Sequence, residues 1–200
     1  MGGGEVSRTF DWCDTLTNWK TTSGTTYPPE LTTQQGFTGV KAPQYTRNMS
    51  YHMSYFDQAL RLDEDLVIRC EIQCGALRNL YELGIITKDV INNPYQYRTW
   101  AVFFITASDH KIDNLDGNAV ACNIPLTSSW FPVYFIIHNR SITVIFNDAN
   151  DTLGIHTTTV NNVSSDDTKN NRCYLGMHSA ESSYPLAAMR CISITRLGNS

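Results

Sequence analysis

Hydrophobic and polar residues alternate with a period of two along much of the chain, the pattern of β-strands that bury one face. The stretch DLVIRCEIQC, residues 65–74, shows it most clearly. Cysteines four positions apart on a strand lie about 13 Å apart, whereas a disulfide needs Cα atoms within about 7 Å. Cys70 and Cys74 therefore cannot bond to each other and are predicted to line a sheet interior, on the face that carries Leu66, Ile68 and Ile72.

Further strand-like runs follow one another, separated by turn signals. They are RTFDW, GFTGVKA, TWAVFFITAS, AVACNIPL, VYFIIHN, SITVIFN, LGIHTTTV, RCYLGMHSA and MRCISITRL. NLDGN (114–118), HNRS (138–141) and NDAND (147–151) are expected to be tight turns, because Asp-Gly, Asn and Asp favour hairpin connections. The sequence predicts an all-β protein, an antiparallel two-sheet β-sandwich of jelly-roll type.

One segment departs from this rhythm. In ALRNLYELGIITKDVINN, from Ala76 to Asn93, the first apolar residues have helical spacing, and Asn-Asn-Pro ends the run. We expect a short inserted helix and loop, residues 76–97.

Two strands are apolar on both faces. Both faces of each strand carry apolar residues, in the runs Trp100 to Ala107 and Val133 to Ile137. We therefore expect central strands that are covered on both sides. The second cover would be the inserted loop or a neighbouring subunit, which favours a homo-oligomer.

Length and composition fit one domain spanning residues 1–200, with a flexible start at 1–5. The net charge is −4 and there is no basic run, which argues against a nucleic-acid partner. No apolar run reaches the roughly 18 residues of a membrane span, so no membrane insertion is expected. The N-terminus lacks a signal-peptide pattern, so we expect cytoplasmic synthesis and a final location on a virion or outside the cell. Reduced thiols are then expected, although a pair such as Cys173 with Cys191 stays open.

No cofactor is predicted. DNLDGN and NDAND could supply oxygen ligands to Ca²⁺, although Asp-Gly turns need no metal. The histidines and cysteines lack zinc-site spacing, and neither a nucleophile elbow nor a phosphate-binding glycine loop occurs.

The order of the runs resembles a known superfamily. FDWCDTLTNWKTTSG opens the chain, FDQALRLDEDLVIRCEIQC and the hairpin WFPVYFIIHNRSITVIFNDAN follow, and CYLGMHSAESSYPLAAMRCISITRL closes it. Together they are similar to the concanavalin A-like lectin/glucanase jelly roll, which includes laminin-G-like domains. The resemblance implies a glycan-binding sandwich or a family 16-like glycoside hydrolase. The hydrolase needs a carboxylate pair about 5.5 Å apart, and the candidates Asp63, Glu64, Asp65 and Glu71 do not have its spacing; Glu82 falls in the predicted helix.

Aromatic residues at loop-to-strand junctions are the remaining candidates for binding chemistry. Tyr95, Tyr97 and Trp130 could form a platform for sugar rings, with Asn147 and Asp148 bonding to hydroxyls, or they could pack or anchor a protein partner. Trp12 and Trp19 are expected in the core. We predict a non-catalytic glycan-binding or adhesion module, an accessory of a virus or phage particle, with a structural, oligomer-forming subunit as the alternative.

Overall fold

The computed structural model describes residues 6–21, 28–41, 53–74, 81–87, 100–105, 111–114, 120–121, 129–147, 153–159, 172–179 and 187–198. Sixteen strands are found in these segments. They are β1 Ser7–Asp11, β2 Trp19–Thr21, β3 Glu30–Gln34, β4 Phe37–Lys41, β5 Met53–Phe56, β6 Leu60–Arg61, β7 Asp65–Cys74, β8 Tyr81–Thr87, β9 Trp100–Ile105, β10 Lys111–Asn114, β11 Val120–Ala121, β12 Phe131–His138, β13 Ser141–Asn147, β14 Leu153–Thr159, β15 Arg172–Ser179 and β16 Ala187–Leu197. No described helix is long and apolar enough to cross a membrane.

The strands form two eight-stranded antiparallel sheets. The first sheet has the order β14-β13-β12-β7-β16-β4-β3, with β1 also paired to β16. The second has the order β11-β10-β9-β8-β15-β5-β2, with β6 also paired to β15. The predicted all-β, two-sheet sandwich is confirmed.

The core lies between the sheets and is built by the predicted alternation. On β7 the residues Leu66, Ile68, Cys70 and Ile72 are fully buried. From the second sheet, Leu83, Ile85, Leu175 and Met177 belong to the same hydrophobic cluster, as does Trp19. Fully burying one such aliphatic side chain contributes about 1.5–3 kcal/mol, so this interior is the main source of stability.

The predicted helix is wrong where the structure describes that segment. Residues 81–87 form β8, which pairs with β15 on one side and β9 on the other. The helical prediction rests on the spacing of Leu77, Leu80, Tyr81 and Leu83, whereas Leu83 and Ile85, two residues apart and both buried, share a face only in an extended strand. Pairing with two neighbouring strands decides in favour of the extended form, since it satisfies the backbone groups of β8 along both edges.

Val133–Ile137 lies in a central strand, as predicted, because β13 and β7 flank β12. The outer face of this strand is partly exposed in the single chain, and cover by a neighbouring subunit stays a prediction. Buried and more exposed residues alternate along β12: Val133 and Phe135 are buried, while Tyr134 is exposed and Ile136 is half-buried. The β12–β13 turn has the predicted left-handed backbone, at Asn139 and Arg140, with φ of 46° and 63°. The side chains of β9, the other strand of this kind, lie outside the described residues.

A bulge in β16 organises the first sheet. One edge of β16 pairs with β7, and the register shifts between Arg190 and Ser193. Its other edge is shared, since β4 pairs with Ala188 and Met189, and β1 pairs with the residues from Ile192 onward. Cys191 takes the extra position with φ 49°. The bulge lets Met189 and Ile192 both reach the core while Arg190 lies on the opposite, outer face of the sheet.

The cysteines whose side chains the structure describes form no disulfide. Cys13, Cys70, Cys173 and Cys191 are all buried and unbridged. Cys173 and Cys191 belong to strands of different sheets, and the disulfide left open between them is not formed. Burial raises the pKa of Cys70 to about 12. It also raises the pKa of Cys13 and Cys191, so these thiols serve as packing residues rather than nucleophiles.

Candidate functional site

Exposed apolar side chains gather on one sheet. All the large hydrophobic residues that are strongly exposed in the described part of the chain lie on, or beside, strands of the first sheet: Val6, Phe10, Trp12, Leu31, Phe37, Tyr134, Leu153 and Leu197. The aromatic members lie around the bulge of β16, where β1 and β4 meet the same edge. A concentrated exposed patch of this kind indicates a binding surface.

Arg190 is the centre of this surface. Its Nη1 lies 2.9 Å from Oε2 of Glu71, its register partner on β7. Its guanidinium carbon lies 4.3 Å from the centre of the Phe37 ring and 5.7 Å from that of Trp130. The side chain is only 12% exposed, and its buried Nε has no hydrogen-bond partner among the described residues. Two aromatic rings and one carboxylate thus hold a cation in place just beneath the surface.

Trp130 is fixed against the β3–β4 hairpin. Its indole Nε1 donates a hydrogen bond to the Gln34 carbonyl oxygen at 3.3 Å. Its ring lies over Gly39, where an added Cβ would stand 2.5 Å from Cη2 of the indole. The neighbouring Ser129 Oγ accepts a hydrogen bond from Gln35 at 3.4 Å. These contacts leave Trp130 half-buried.

Two more arginines, Arg8 and Arg69, lie on the same face of the sheet, on either side of Ser193. Ser193 pairs in register with Phe10 on β1 and Arg69 on β7, and its Oγ accepts a hydrogen bond from Arg8 Nε at 3.1 Å. Arg69 Nη2 lies 3.3 Å from Glu71 Oε1. Partial burial lowers the pKa of Arg69, but hydrogen bonds to Tyr134 and Glu71 outweigh it and hold that pKa above its usual value.

Phe10 and Trp12 complete the surface. Their rings meet edge to face with centroids 4.7 Å apart, and Trp12 is 60% exposed. The prediction that Trp12 lies in the core is therefore wrong, whereas Trp19 is buried as predicted. We call the set Arg8, Phe10, Trp12, Phe37, Arg69, Glu71, Trp130, Tyr134 and Arg190 the aromatic–arginine cluster.

The cluster is positively charged on a chain whose net charge is −4. It holds three arginines and one glutamate, and both oxygens of Glu71 are already engaged by Arg69 and Arg190. Asp11, next to Phe10, keeps its negative charge, but its carboxylate oxygens are directed to the Cys13 N–H and the Asn18 amide, with no ion pair to an arginine among the described residues. The exposed guanidinium groups therefore face outward with an excess of positive charge.

The outer face of the second sheet differs. Tyr55 and Tyr174 meet at 5.4 Å between ring centroids, but Tyr55 is only 8% exposed. Ile86 on the same face is fully buried and fills the space above Gly176. Among the described residues, the first sheet therefore presents the exposed aromatic face.

The residues predicted for the site are only partly described. Trp130 lies in the cluster. Asn147 is exposed at the end of β13 and shares the outer face of the first sheet with Ile145, because Val144 and Phe146 are buried. Trp130 reaches instead toward β3 and β4, so the site centre lies away from Asn147. Tyr95, Tyr97 and Asp148 are outside the described residues.

The described carboxylates that were considered for hydrolysis each have a basic side chain as partner. Asp63 pairs with Arg61 at 2.6 Å, Asp65 with His138 at 2.7 Å, and Glu71 with two arginines. Glu64 lies 3.7 Å from Arg61. The part of the chain that the structure describes contains no group of three or more His, Cys, Asp and Glu side chains that could hold a metal ion. The two segments considered for Ca²⁺ fall mostly outside it.

Solved structures share this arrangement of strands. Peanut lectin, in a complex with a nine-residue peptide, matches with a TM-score of 0.65 and 10% identity, covering 98% of this chain and 99% of that one. The lectin from Bauhinia forficata, in complex with GalNAc, matches with a TM-score of 0.62 and 8% identity, covering 98% and 100%. This chain has the concanavalin A-like lectin fold.

A further solved structure has the same fold. The exoplasmic/lumenal domain of VIP36, in a form bound to Ca²⁺ and Man3GlcNAc, matches with a TM-score of 0.60 and 8% identity, covering 93% of this chain and 86% of that one. No protein-family model matches the chain, and no curated protein matches it either. The likeness is therefore one of fold, and function has to be argued from the chain's own residues.

Proposed function

We propose that this protein is a non-catalytic glycan-binding module whose binding surface is the aromatic–arginine cluster. The observation that carries the proposal is the set of exposed rings, Phe10, Trp12 and Phe37, grouped around the anchored Arg190 on one sheet face. Several solved structures with this fold are lectins in complex with sugars, which supports the same class of function here.

The chemistry of the cluster suits a saccharide. The flat apolar faces of sugar rings stack on aromatic side chains, while hydroxyl groups need hydrogen-bond donors and acceptors at the rim. Phe37 is 51% exposed and its ring lies on a guanidinium that cannot move freely. Because Arg190 is fixed by Glu71, little side-chain entropy is lost when a ligand binds over it.

A glycan array with matched variants tests the proposal. Trp12→Ala and Phe37→Ala remove exposed rings from the first sheet, and Tyr174→Ala removes a half-buried ring from the second sheet. We expect each first-sheet variant to lose at least fivefold in affinity for the bound glycan and the control to lose little. Uniform silence of the wild-type protein across neutral and charged glycans would refute the proposal.

The finer role that we propose is attachment, as an accessory on the surface of a virus or phage particle. It is supported by the free buried thiols, which fit folding in a reducing cell before release. Mass spectrometry of purified particles, followed by glycan binding of the intact particle, tests this role. Absence of the protein from the particles would refute the attachment role without contradicting glycan binding.

A structural subunit is the second candidate, because the same exposed residues could be buried by a second copy. The alternation on β12, with Tyr134 and Ile136 outward, leaves an apolar face that a neighbour could cover. Light scattering decides between the two. A dilute monomer that binds sugar supports the module, whereas a stable oligomer that Trp12→Ala and Phe37→Ala dissociate supports the subunit.

A further inference from the structure

We infer that the glycan bound by the aromatic–arginine cluster is anionic, with its acidic group held by Arg8 and Arg69 on either side of Ser193. This inference rests on the proposed function and adds the chemical class of the ligand.

The geometry comes from the register of three strands. Ser193 on β16 lies between Phe10 on β1 and Arg69 on β7, and directly paired side chains in a sheet stand about 5 Å apart. Arg8, two residues before Phe10 on the same face, extends back over Ser193 and donates its Nε proton to the hydroxyl. Two guanidinium groups are thus anchored beside one small buried side chain, which leaves room above it.

Both arginines retain donors for a ligand. Arg8 uses only Nε in the Ser193 hydrogen bond, and its residue is exposed. Arg69 uses Nη2 toward Glu71 and is also hydrogen-bonded to Tyr134, which leaves part of its five-donor fork for a ligand, and its side chain is 36% exposed. A guanidinium offers five N–H donors in a planar fork, which matches the two oxygens of a carboxylate or the oxygens of a sulfate.

Charge and aromatic rings point to the same ligand. Glu71 can compensate for one of the three arginines of the cluster, so two positive charges stay uncompensated on an acidic chain. Phe10 lies on the same strand as Arg8, in the same row as Ser193, and its ring contacts Trp12. An acidic sugar could therefore place its ring on Phe10 and Trp12 while its charged group reaches the two arginines.

An array of paired glycans tests the inference. Each acidic glycan is printed beside its neutral counterpart: sialylated with asialo, uronate with its methyl ester, and sulfated with unsulfated. We expect the wild type to bind the acidic member at least tenfold more tightly, with an advantage that falls as salt is raised. The carboxylate and sulfate pairs show which anion is the ligand.

Variants locate the effect. Arg8→Gln and Arg69→Gln should each reduce the preference for the acidic member at least fivefold, with neutral binding unchanged. Lys20→Gln, which removes one exposed positive charge from the second sheet, should leave the preference intact. If Arg69→Gln fails to fold, Arg8→Gln, which changes an exposed position, still tests whether the arginines hold the acidic group. Equal binding of acidic and neutral members, or binding of neutral ones alone, overturns this inference and leaves the proposed function standing. Absence of binding to every glycan overturns both.

Discussion

Trp130 lies directly over Gly39, so close that a single methyl group at Gly39 would stand 2.5 Å from the indole and 2.8 Å from the Met189 carbonyl oxygen. The absence of a side chain at Gly39 is thus what lets Trp130, the residue just before β12, reach the β3–β4 hairpin.

Gly39→Ala should destabilise the protein by about 1–3 kcal/mol, the usual cost of overpacking, because one of the two close contacts is with backbone. Urea unfolding measures the loss. In a Trp130→Ala background the same substitution should cost less but still more than zero, since the Met189 contact remains. An identical cost in both backgrounds would show that the indole does not lie where the structure places it.

The Arg190–Glu71 pair should be energetically coupled. Both side chains are mostly shielded, at 12% and 21% exposure, so we expect Arg190→Met and Glu71→Gln to show a coupling of about 1–2 kcal/mol in a double-mutant cycle. The exposed pair Arg61–Asp63 is the matched control, and its coupling should stay below about 0.5 kcal/mol. Equal coupling in the two pairs would contradict the anchoring of Arg190.

Buried thiols should make stability fall at alkaline pH. The pKa of Cys70 is raised to about 12 by burial, whereas an unfolded cysteine ionises near pH 8.5. Above that pH the unfolded chain loses the proton and the folded chain keeps it, so the free energy of unfolding drops by up to about 1.4 kcal/mol per pH unit. Cys70→Ala should have a shallower slope between pH 9 and 11 and the wild-type slope between pH 7 and 8. Parallel curves over the whole range would contradict the burial effect.

The sandwich could be predicted from the sequence because its longest strands bury one face completely. On β7 the strict alternation from Leu66 to Ile72 fits a strand and does not fit a helix. The apolar residues up to Leu83 also fit a helix, so the sequence predicts a short helix and loop over residues 76–97, although residues 81–87 form a strand between two neighbours.

The candidate site was harder to predict because it depends on register between distant strands. Arg190, Phe37 and Trp130 are far apart in the sequence, and nothing local to any of them indicates that they meet. Trp12, the last residue of the strand-like run RTFDW, is predicted inside because aromatic side chains mostly bury their area. The strand ends at Asp11, and the ring then turns onto the outer face against Phe10. The one signal available was the FTGVK run, where a glycine in a strand indicates close approach of another group.

The most direct test of a glycan site on the first sheet is the indole N–H region of a ¹⁵N-labelled spectrum, recorded while a glycan selected on the array is added. Trp12→Phe, Trp19→Phe and Trp130→Phe assign the signals. The account predicts that the Trp12 and Trp130 resonances shift in a saturable manner, while that of the buried Trp19 stays in place. Saturable binding that leaves both Trp12 and Trp130 unmoved would contradict it.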